Sequence, residues 1–289
     1  MKVVVIGASG QLGQDIVNAK PGLVKLVGLT HSDIEITDKD SVFSVLTSLE
    51  PDVIINTAAF HKTDLCEDEP EKAFFINAVG VKNLVEVCKS MDSILVHIST
   101  DYVFDGAKIT EKEPYTEEDL PNPINIYGIS KYAGELIVKN YLDKYYIVRV
   151  ASLYGKAGAS GKGGNFVYTI LKKAKAGEPL RVVDDIFMSP TYTLDAAREI
   201  WKLILEERPF GTYHVTNLGY CSWYEFAKKI LEYAGVDASI EPVKHTEFKT
   251  KAKRPLWSPL KSVKGIELRP WEEALKEFIG GVSTQLWKL

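Results

Sequence analysis

Lys2-Val-Val-Val-Ile-Gly7-Ala-Ser9-Gly10-Gln11-Leu12-Gly13 is the stretch that decides the fold. Lys2–Ile6 is a continuous β-branched run, the pattern of a strand buried on both faces. Gly7, Gly10 and Gly13 follow at once, and Gly10–Ala19 reads as a helix. Glycine at these spacings permits a tight turn, close approach of the backbone to a pyrophosphate, and close packing of helix on strand. The helix N-terminus adds N–H groups and a partial positive charge for the phosphates. Three glycines anywhere would be a weak signal, but set between a strand and a helix they indicate a dinucleotide site. Gly7, Ser9, Gly10, Gln11, Leu12 and Gly13 are the residues expected to hold it.

Outward from this loop the chain alternates apolar runs with amphipathic stretches. Strands are expected at Lys25–Leu29, Val53–Asn56, Ile94–Ile98 and Tyr146–Val150. Helices are expected at Asp38–Leu49 (stopped by Pro51), Pro70–Lys89 and Tyr127–Tyr141. That alternation predicts an α/β fold, a doubly wound parallel sheet of the Rossmann type. Beyond about Ala151 the texture changes. Gly155–Gly164 holds five glycines, and helices are expected at Phe166–Ala176, Thr193–Glu207, Ser222–Tyr233 and Pro270–Ile279, with a strand at Leu180–Val183. Ser222 and Glu225 form a capping-box pattern, and Gly235 closes that helix. The expected organisation is a dinucleotide-binding domain over 1–151, rejoined by about 182–208. A smaller C-terminal substrate-binding domain is expected over 152–181 and 209–289.

Composition excludes several classes. With 45% apolar and 26% charged residues, the 289-residue chain has the make-up of a globular protein and not of a disordered one. A net charge of −4 argues against nucleic acid as a partner. No apolar run approaches the ~20 residues of a membrane helix, and the apolar start ends at Gly7, short of the ~7–15 residues of a signal segment. Cys66, Cys88 and Cys221 lack C-x-x-C spacing and read as reduced thiols of a cytoplasmic protein. The five histidines show no zinc spacing, so no metal is expected. The acidic runs Glu67–Glu69 and Glu117–Asp119 read as solvated helix starts.

The second strand ends in Leu29-Thr30-His31-Ser32, without the acidic residue that often holds a ribose 2′-OH. Thr30 and His31 can instead donate to a 2′-phosphate, which favours NADPH over NADH as cofactor. Tyr127 and Lys131 stand four apart on one helical face. A lysine there is expected to lower the phenol's pKa from about 10, so that the tyrosine works as an acid or base. That pair alone is common by chance. The strand Ile94–Ile98, however, runs on into Ser99-Thr100-Asp101, and strand carboxyl ends face the ligand crevice. A Thr100 hydroxyl there can hold a carbonyl oxygen while Tyr127 protonates it. Glycine loop, strand-end threonine and Tyr-x-x-x-Lys in this order resemble the extended short-chain dehydrogenase/reductases.

Within that superfamily, Ser99–Gly106 (STDYVFDG), Pro121–Lys131 (PNPINIYGISK), Asn165–Val167, Asp184–Asp195, Cys221–Ala227 and Arg254–Leu260 are similar to the dTDP-4-dehydrorhamnose reductases. So are Asn56–Phe60 with Asp64 and Glu67, and Glu35–Asp38. The resemblance implies NAD(P)H-dependent reduction of dTDP-4-dehydro-L-rhamnose, a 4-keto-6-deoxy nucleotide-sugar, to dTDP-L-rhamnose. It implies Tyr127 as proton donor, Lys131 as its activator and ribose ligand, and Thr100 as the carbonyl-polarising hydroxyl. Glu35 and Ile36 would line the adenine end, and Ala58, Ala59 and Phe60 the crossing from pyrophosphate to nicotinamide. Thr100, Asp101, Asn165 and Arg254 would touch the nucleotide-sugar, the Arg254 fork suiting a diphosphate. Ser152 occupies the substrate-side position where that family usually carries Trp. Of Trp223, Trp257 and Trp271, at least two are expected in core or rim packing and not against a base. Arg149–Gly155 and Ser99–Gly106 also resemble the β subunit of methionine adenosyltransferase, which makes a non-catalytic NADP-binding regulatory subunit the alternative. An epimerase or dehydratase of the superfamily is a third reading, and a homodimer is allowed by all three.

Overall fold

A computed structural model describes residues 1–158 and 164–281. Its elements in chain order begin with β1 (Lys2–Ile6), α1 (Gln11–Asn18), β2 (Lys25–Leu29), α2 (Lys39–Leu49) and β3 (Val53–Asn56). Next come α3 (Thr63–Asp68), α4 (Pro70–Phe74), α5 (Gly80–Met91), β4 (Ile94–Thr100), α6 (Ile126–Tyr141) and β5 (Tyr145–Val150). The second half holds β6 (Leu153–Tyr154), α7 (Phe166–Lys175), β7 (Leu180–Val183), β8 (Phe187–Met188), β9 (Thr191–Tyr192) and α8 (Thr193–Leu205). It closes with β10 (Gly211–His214), β11 (Cys221–Ser222), α9 (Trp223–Ala234), β12 (Ile240–Val243) and α10 (Trp271–Gly281).

The main sheet has six parallel strands in the order β10-β5-β4-β3-β1-β2. From β1 the chain moves outward to β2, then returns to the other side of β1 as β3. The order therefore reverses between β1 and β3, and ligands of such sheets bind outside the strand carboxyl ends at that reversal. Both faces are covered, which is why β1, β3 and the first half of β4 are mostly apolar. On one face α1 and α8 set Ile16, Ile200 and Trp201 against Val3, Val5 and Ile55. On the other, Leu46, Leu84 and Val138 from α2, α5 and α6 cover Val4, Ile54 and Leu95.

The domain expectation needs two corrections. Gly211–His214 pairs with Tyr146–Arg149 in the main sheet, so the stretch from 209 to 289 does not form one unit. The free edge of β5 has N–H and C=O groups to satisfy, and β10 is the segment that α8 delivers to it. Conversely, residues 182–183 belong to β7, which pairs with β12 in the second lobe. That lobe has its own core, built on Val167, Ile170, Phe226, Ile230 and Phe278.

Local signals are realised where the chemistry is local. Asp38 caps α2 by accepting from Asp40 N and Ser41 N, and Ser222 and Glu225 form the reciprocal capping box of α9. Gly235 ends α9 at φ 62°, a left-handed value suited to glycine. The long helix expected over Pro70–Lys89 is interrupted by a π turn at Phe75–Val79, which buries Asn77. Gly161 and Gly163 of the glycine-rich loop lie outside the described residues. Among the described residues no helix is long and apolar enough to cross a membrane.

Candidate active site

The glycine loop lies at the sheet reversal and is tied to β2, Gly7 N and Ala8 N both donating to Leu29 O at 2.9 and 3.0 Å. Gly7 sits at φ +81°, and a Cβ there would stand 2.5 Å from Thr57 Oγ1 on the neighbouring strand end. A Cβ on Gly13 would collide with the Gly7 carbonyl. Glycine is thus required at both positions, for the turn and for the close helix approach. Gly10 begins α1 with no side-chain cap, as expected of a helix end that receives an anion. This backbone cradle fits a dinucleotide pyrophosphate.

The expected cofactor residues separate into two groups. Ser9 is exposed at the loop tip, and Ala58, Ala59 and Phe60 line the β3 carboxyl end half-exposed. Leu12 instead points into the core, and only its backbone serves the loop. Gln11 is buried, its Nε2 donating to Leu153 O at 3.0 Å while its Oε1 accepts from Asn165 Nδ2 at 3.1 Å. Asn165 also donates to Gly155 O at 2.8 Å and caps α7 by accepting from Tyr168 N. Gln11 and Asn165 thereby fasten the glycine loop to the second lobe. Ser152 lies beside that junction, in the left-handed region at φ 42°, with its carbonyl accepting from Thr191 N.

At the β2 end, Asp33 Oδ2 accepts from Thr30 N at 2.7 Å and Thr30 Oγ1 at 2.6 Å. A carboxylate is therefore present near this corner after all, supplied by a turn four residues beyond the strand. His31 is exposed and faces Glu35 Oε2 at 3.4 Å. The other Glu35 oxygen accepts from Thr37 N and Oγ1; burial pushes this carboxyl up, and the Thr37 bonds bring it below the usual range. Ile36 is buried against Gly80.

Thr100, Asp101, Tyr127 and Lys131 converge at the carboxyl end of β4. Thr100 Oγ1 donates to Asp101 Oδ1 at 3.0 Å and accepts from Tyr102 N at 3.1 Å. It also bears on the Tyr127 phenol, whose pKa it lowers against the upward push of burial. Asp101 Oδ2 accepts from Ser258 Oγ at 2.6 Å, and burial pushes the Asp101 carboxyl up to about 6. Asn125 places α6, its side chain capping Gly128 N and donating to Lys253 O. Gly128 lets the helix start pack on the Tyr102 carbonyl, where no side chain fits.

One electrostatic expectation is corrected. Burial pushes the Tyr127 phenol above its ordinary value, opposed by Thr100. Lys131 does not lower it, because its Nζ turns inward to Ile98 O at 2.6 Å and His97 Nε2 at 3.5 Å. Burial brings Lys131 itself down to about 8. The result is a phenol held protonated, which suits a donor better than a base.

Arg254 stands where the lobes meet. Its Nη1 and Nη2 donate to the two Asp64 oxygens at 3.1 and 2.9 Å. The same arginine lines a cavity of about 670 Å³ between α7, β7 and the 245–256 segment, together with Lys173, Arg181, Lys253, Phe166 and Trp223. Trp257 and Trp271 are buried, leaving Trp223 as the member of that trio at the cavity. The acidic runs are not simply solvated: Glu67 accepts from Ile126 N at the start of α6, and Glu117 from His214 N and Ser262 Oγ. Among the described residues no group of three or more His, Cys, Asp or Glu is placed to hold a metal ion.

The model of the RmlD substrate binding domain family matches residues 1–283. The chain belongs to the dTDP-4-dehydrorhamnose reductase family. Relatives of that name include the Aggregatibacter actinomycetemcomitans protein, 36% identical over 95% of this chain and 97% of its own. The Bacillus subtilis spore coat polysaccharide biosynthesis protein SpsK is 40% identical over 96% of each chain. Among solved structures, the Clostridium acetobutylicum dTDP-4-dehydrorhamnose reductase superposes with a TM-score of 0.90 at 41% identity, covering 97% of this chain and 99% of that one. The Bacillus anthracis dTDP-4-dehydrorhamnose reductase, solved in complex with NADP, gives 0.91 at 40% identity with the same coverage.

Against this family background, Asn77 is a site residue that motif reading passed over. From the π turn its Oδ1 accepts from Phe60 N at 2.8 Å, and its Nδ2 donates to Phe60 O and Ser130 Oγ. It joins the Ala58–Phe60 loop to the helix that carries Lys131. Nothing in Phe75–Val79 marks it, since its place depends on a π turn packed on the distant Gly134, where a Cβ would crowd the Asn77 carbonyl.

Proposed function

We propose that this protein reduces the 4-keto group of dTDP-4-dehydro-L-rhamnose to the alcohol of dTDP-L-rhamnose, with NADPH preferred over NADH. What supports the reading is one arrangement: Thr100 ends β4 beside Tyr127, whose phenol it influences, with Lys131 one helical turn away on α6 and the sheet reversal alongside. A reduced nicotinamide cofactor, when bound, supplies hydride. Gly7, Gly10 and Gly13 would receive its pyrophosphate, and Ala58–Phe60 would flank its path toward Lys131. Thr100 exchanges its bond to Asp101 for one to the sugar's carbonyl oxygen and polarises it. Tyr127, kept protonated by burial, gives its proton to that oxygen as the carbonyl carbon becomes C–H. Asp101, with Thr100, faces the sugar, while Arg254 and the cation-lined cavity receive the nucleotide diphosphate. That relatives are named as reductases favours this reading over a regulatory subunit. The test is turnover of dTDP-4-dehydrorhamnose followed by loss of the reduced-nicotinamide absorbance. No turnover with either cofactor would overturn it.

Two further results are expected. Asp33 holds Thr30 at the β2 corner, so the NADPH preference rests on the Bacillus anthracis relative solved with NADP. Calorimetric titration should show NADPH binding at least as tightly as NADH, and clearly tighter NADH binding would contradict the preference. Secondly, kcat/KM for the cofactor should fall above about pH 8, where Lys131 loses its proton. The sign follows from the cation being the form that binds the ribose and its burial lowering the pKa. Lys131→Arg, charged throughout, should move that limb to higher pH, and an unmoved limb would assign it to another group.

A further inference from the structure

Arg254 presents two hydrogen-bonding forks, one made by Nη1 and Nη2 and the other by Nε and Nη2. Asp64 fills the first, with Nη1 donating at 3.1 Å to Oδ1 and Nη2 at 2.9 Å to Oδ2. The second N–H of Nη1 goes to Ala252 O at 3.1 Å, and Asp64 Oδ1 takes Ala252 N as well, at 3.0 Å. These bonds leave the Nε/Nη2 fork turned away from Asp64, on a side chain that lines the cavity between α7 and β7. Asp64 belongs to α3, which follows the Ala58–Phe60 loop, and α3 grips the second lobe and the start of α6 at two more points. Lys251 Nζ lies 2.6 Å from both Asp68 oxygens, and Glu67 accepts from Ile126 N at 2.9 Å.

We propose that Asp64 is a positioning residue for substrate recognition: it occupies one fork of Arg254 so that the other is held ready for the diphosphate of the nucleotide-sugar. The inference rests on the functional reading above. A guanidinium fixed on one side loses little freedom when a phosphate docks on the other. Without Asp64 only the Nη1 bond to Ala252 O would be left to orient the guanidinium. Because the partner comes from the cofactor-binding half of the chain, recognition of the nucleotide-sugar requires the two lobes to be latched together.

The opposite arrangement is also chemically sensible, with Asp64 as a competitor that the diphosphate must displace, and the two differ in sign. If Asp64 positions Arg254, Asp64→Ala and Asp64→Asn should each raise KM for dTDP-4-dehydrorhamnose and Kd for dTDP by about 10- to 100-fold. Turnover at saturation should stay within about threefold, since the reacting atoms are untouched. Arg254→Ala should give the same loss, and Asp64→Ala combined with it should add nothing further. NADPH affinity, unchanged in every variant, reports an intact fold; should Asp64→Ala fail that check, Asp64→Asn and Arg254→Lys, which has no second fork, decide the matter. Tighter or unaltered dTDP binding in the Asp64 variants of an active enzyme would overturn the proposal alone. A wild-type protein that neither binds dTDP nor turns over the sugar would overturn the functional reading and the proposal together.

Discussion

Tyr127→Phe should lower turnover of dTDP-4-dehydrorhamnose by about 10²- to 10⁴-fold, the range that a positioned general acid contributes. The substitution removes one hydroxyl and keeps the ring, which packs edge-on against Tyr102 with centroids 5.9 Å apart. Cofactor affinity should therefore change little, and the loss should appear in kcat and not in KM. Thr100→Val, similar in volume, should cost less, because Tyr127 still protonates the oxygen. The valine would also leave the Tyr102 N–H without its acceptor, so this variant is compared at equal NADPH occupancy. Single-turnover kinetics separate the chemical step from product release. A Tyr127→Phe variant within about threefold of wild type in the chemical step would rule out Tyr127 as the donor.

Glu135→Ala should destabilise the fold by about 3–5 kcal/mol, the cost of leaving a buried charge without its partner. Glu135 is completely buried on α6, two turns beyond Tyr127. Its Oε1 accepts from Ser99 Oγ at 2.6 Å and Arg149 Nε at 2.9 Å, and its Oε2 from Arg149 Nη2 at 2.7 Å. Lys139 Nζ approaches the same oxygen at 3.7 Å. Arg149 is equally buried, lying over the Phe104 ring, and its remaining contact, His214, is kept neutral by burial. At about 2–4 °C per kcal/mol for a chain of this size class, the melting temperature should drop on the order of 10 °C. Burial raises the Glu135 carboxyl, but Arg149 brings it below its ordinary value. Its contribution is therefore complete above the ordinary carboxylate pKa of about 4.3 and is lost as pH falls through the lower folded value. Replacing Glu135 and Arg149 together by apolar residues should recover much of the loss. A single Glu135→Ala variant melting within about 2 °C of wild type would show that Arg149 finds another partner.

Much of this molecule was legible along the chain. The glycine loop, the strand after it and the parallel alternation follow from spacing, as do the Asp38 and Ser222 caps and the single helical face shared by Tyr127 and Lys131. Each is a relation between residues a few positions apart, and backbone sterics and local hydrogen bonds fix such relations wherever the segment lies. Thr100 followed from its place at a strand end, and motif resemblance carried the reading further, to the family and to Asp101 and Arg254.

What only tertiary structure decided involves partners far apart in sequence or the removal of water. Gly211–His214 was assigned to the wrong lobe because the edge it completes belongs to β5, more than sixty residues earlier. The Gln11–Asn165 and Asp64–Arg254 pairs span 154 and 190 residues, a separation over which no periodicity operates. The expected lowering of the Tyr127 pKa failed for a related reason. Spacing placed Lys131 one turn away, but burial raises the phenol and turns the lysine toward Ile98 O. Local sequence determines which groups share a face; desolvation and long-range contacts, which exist only once the chain has folded, determine how those groups are charged and what they hold.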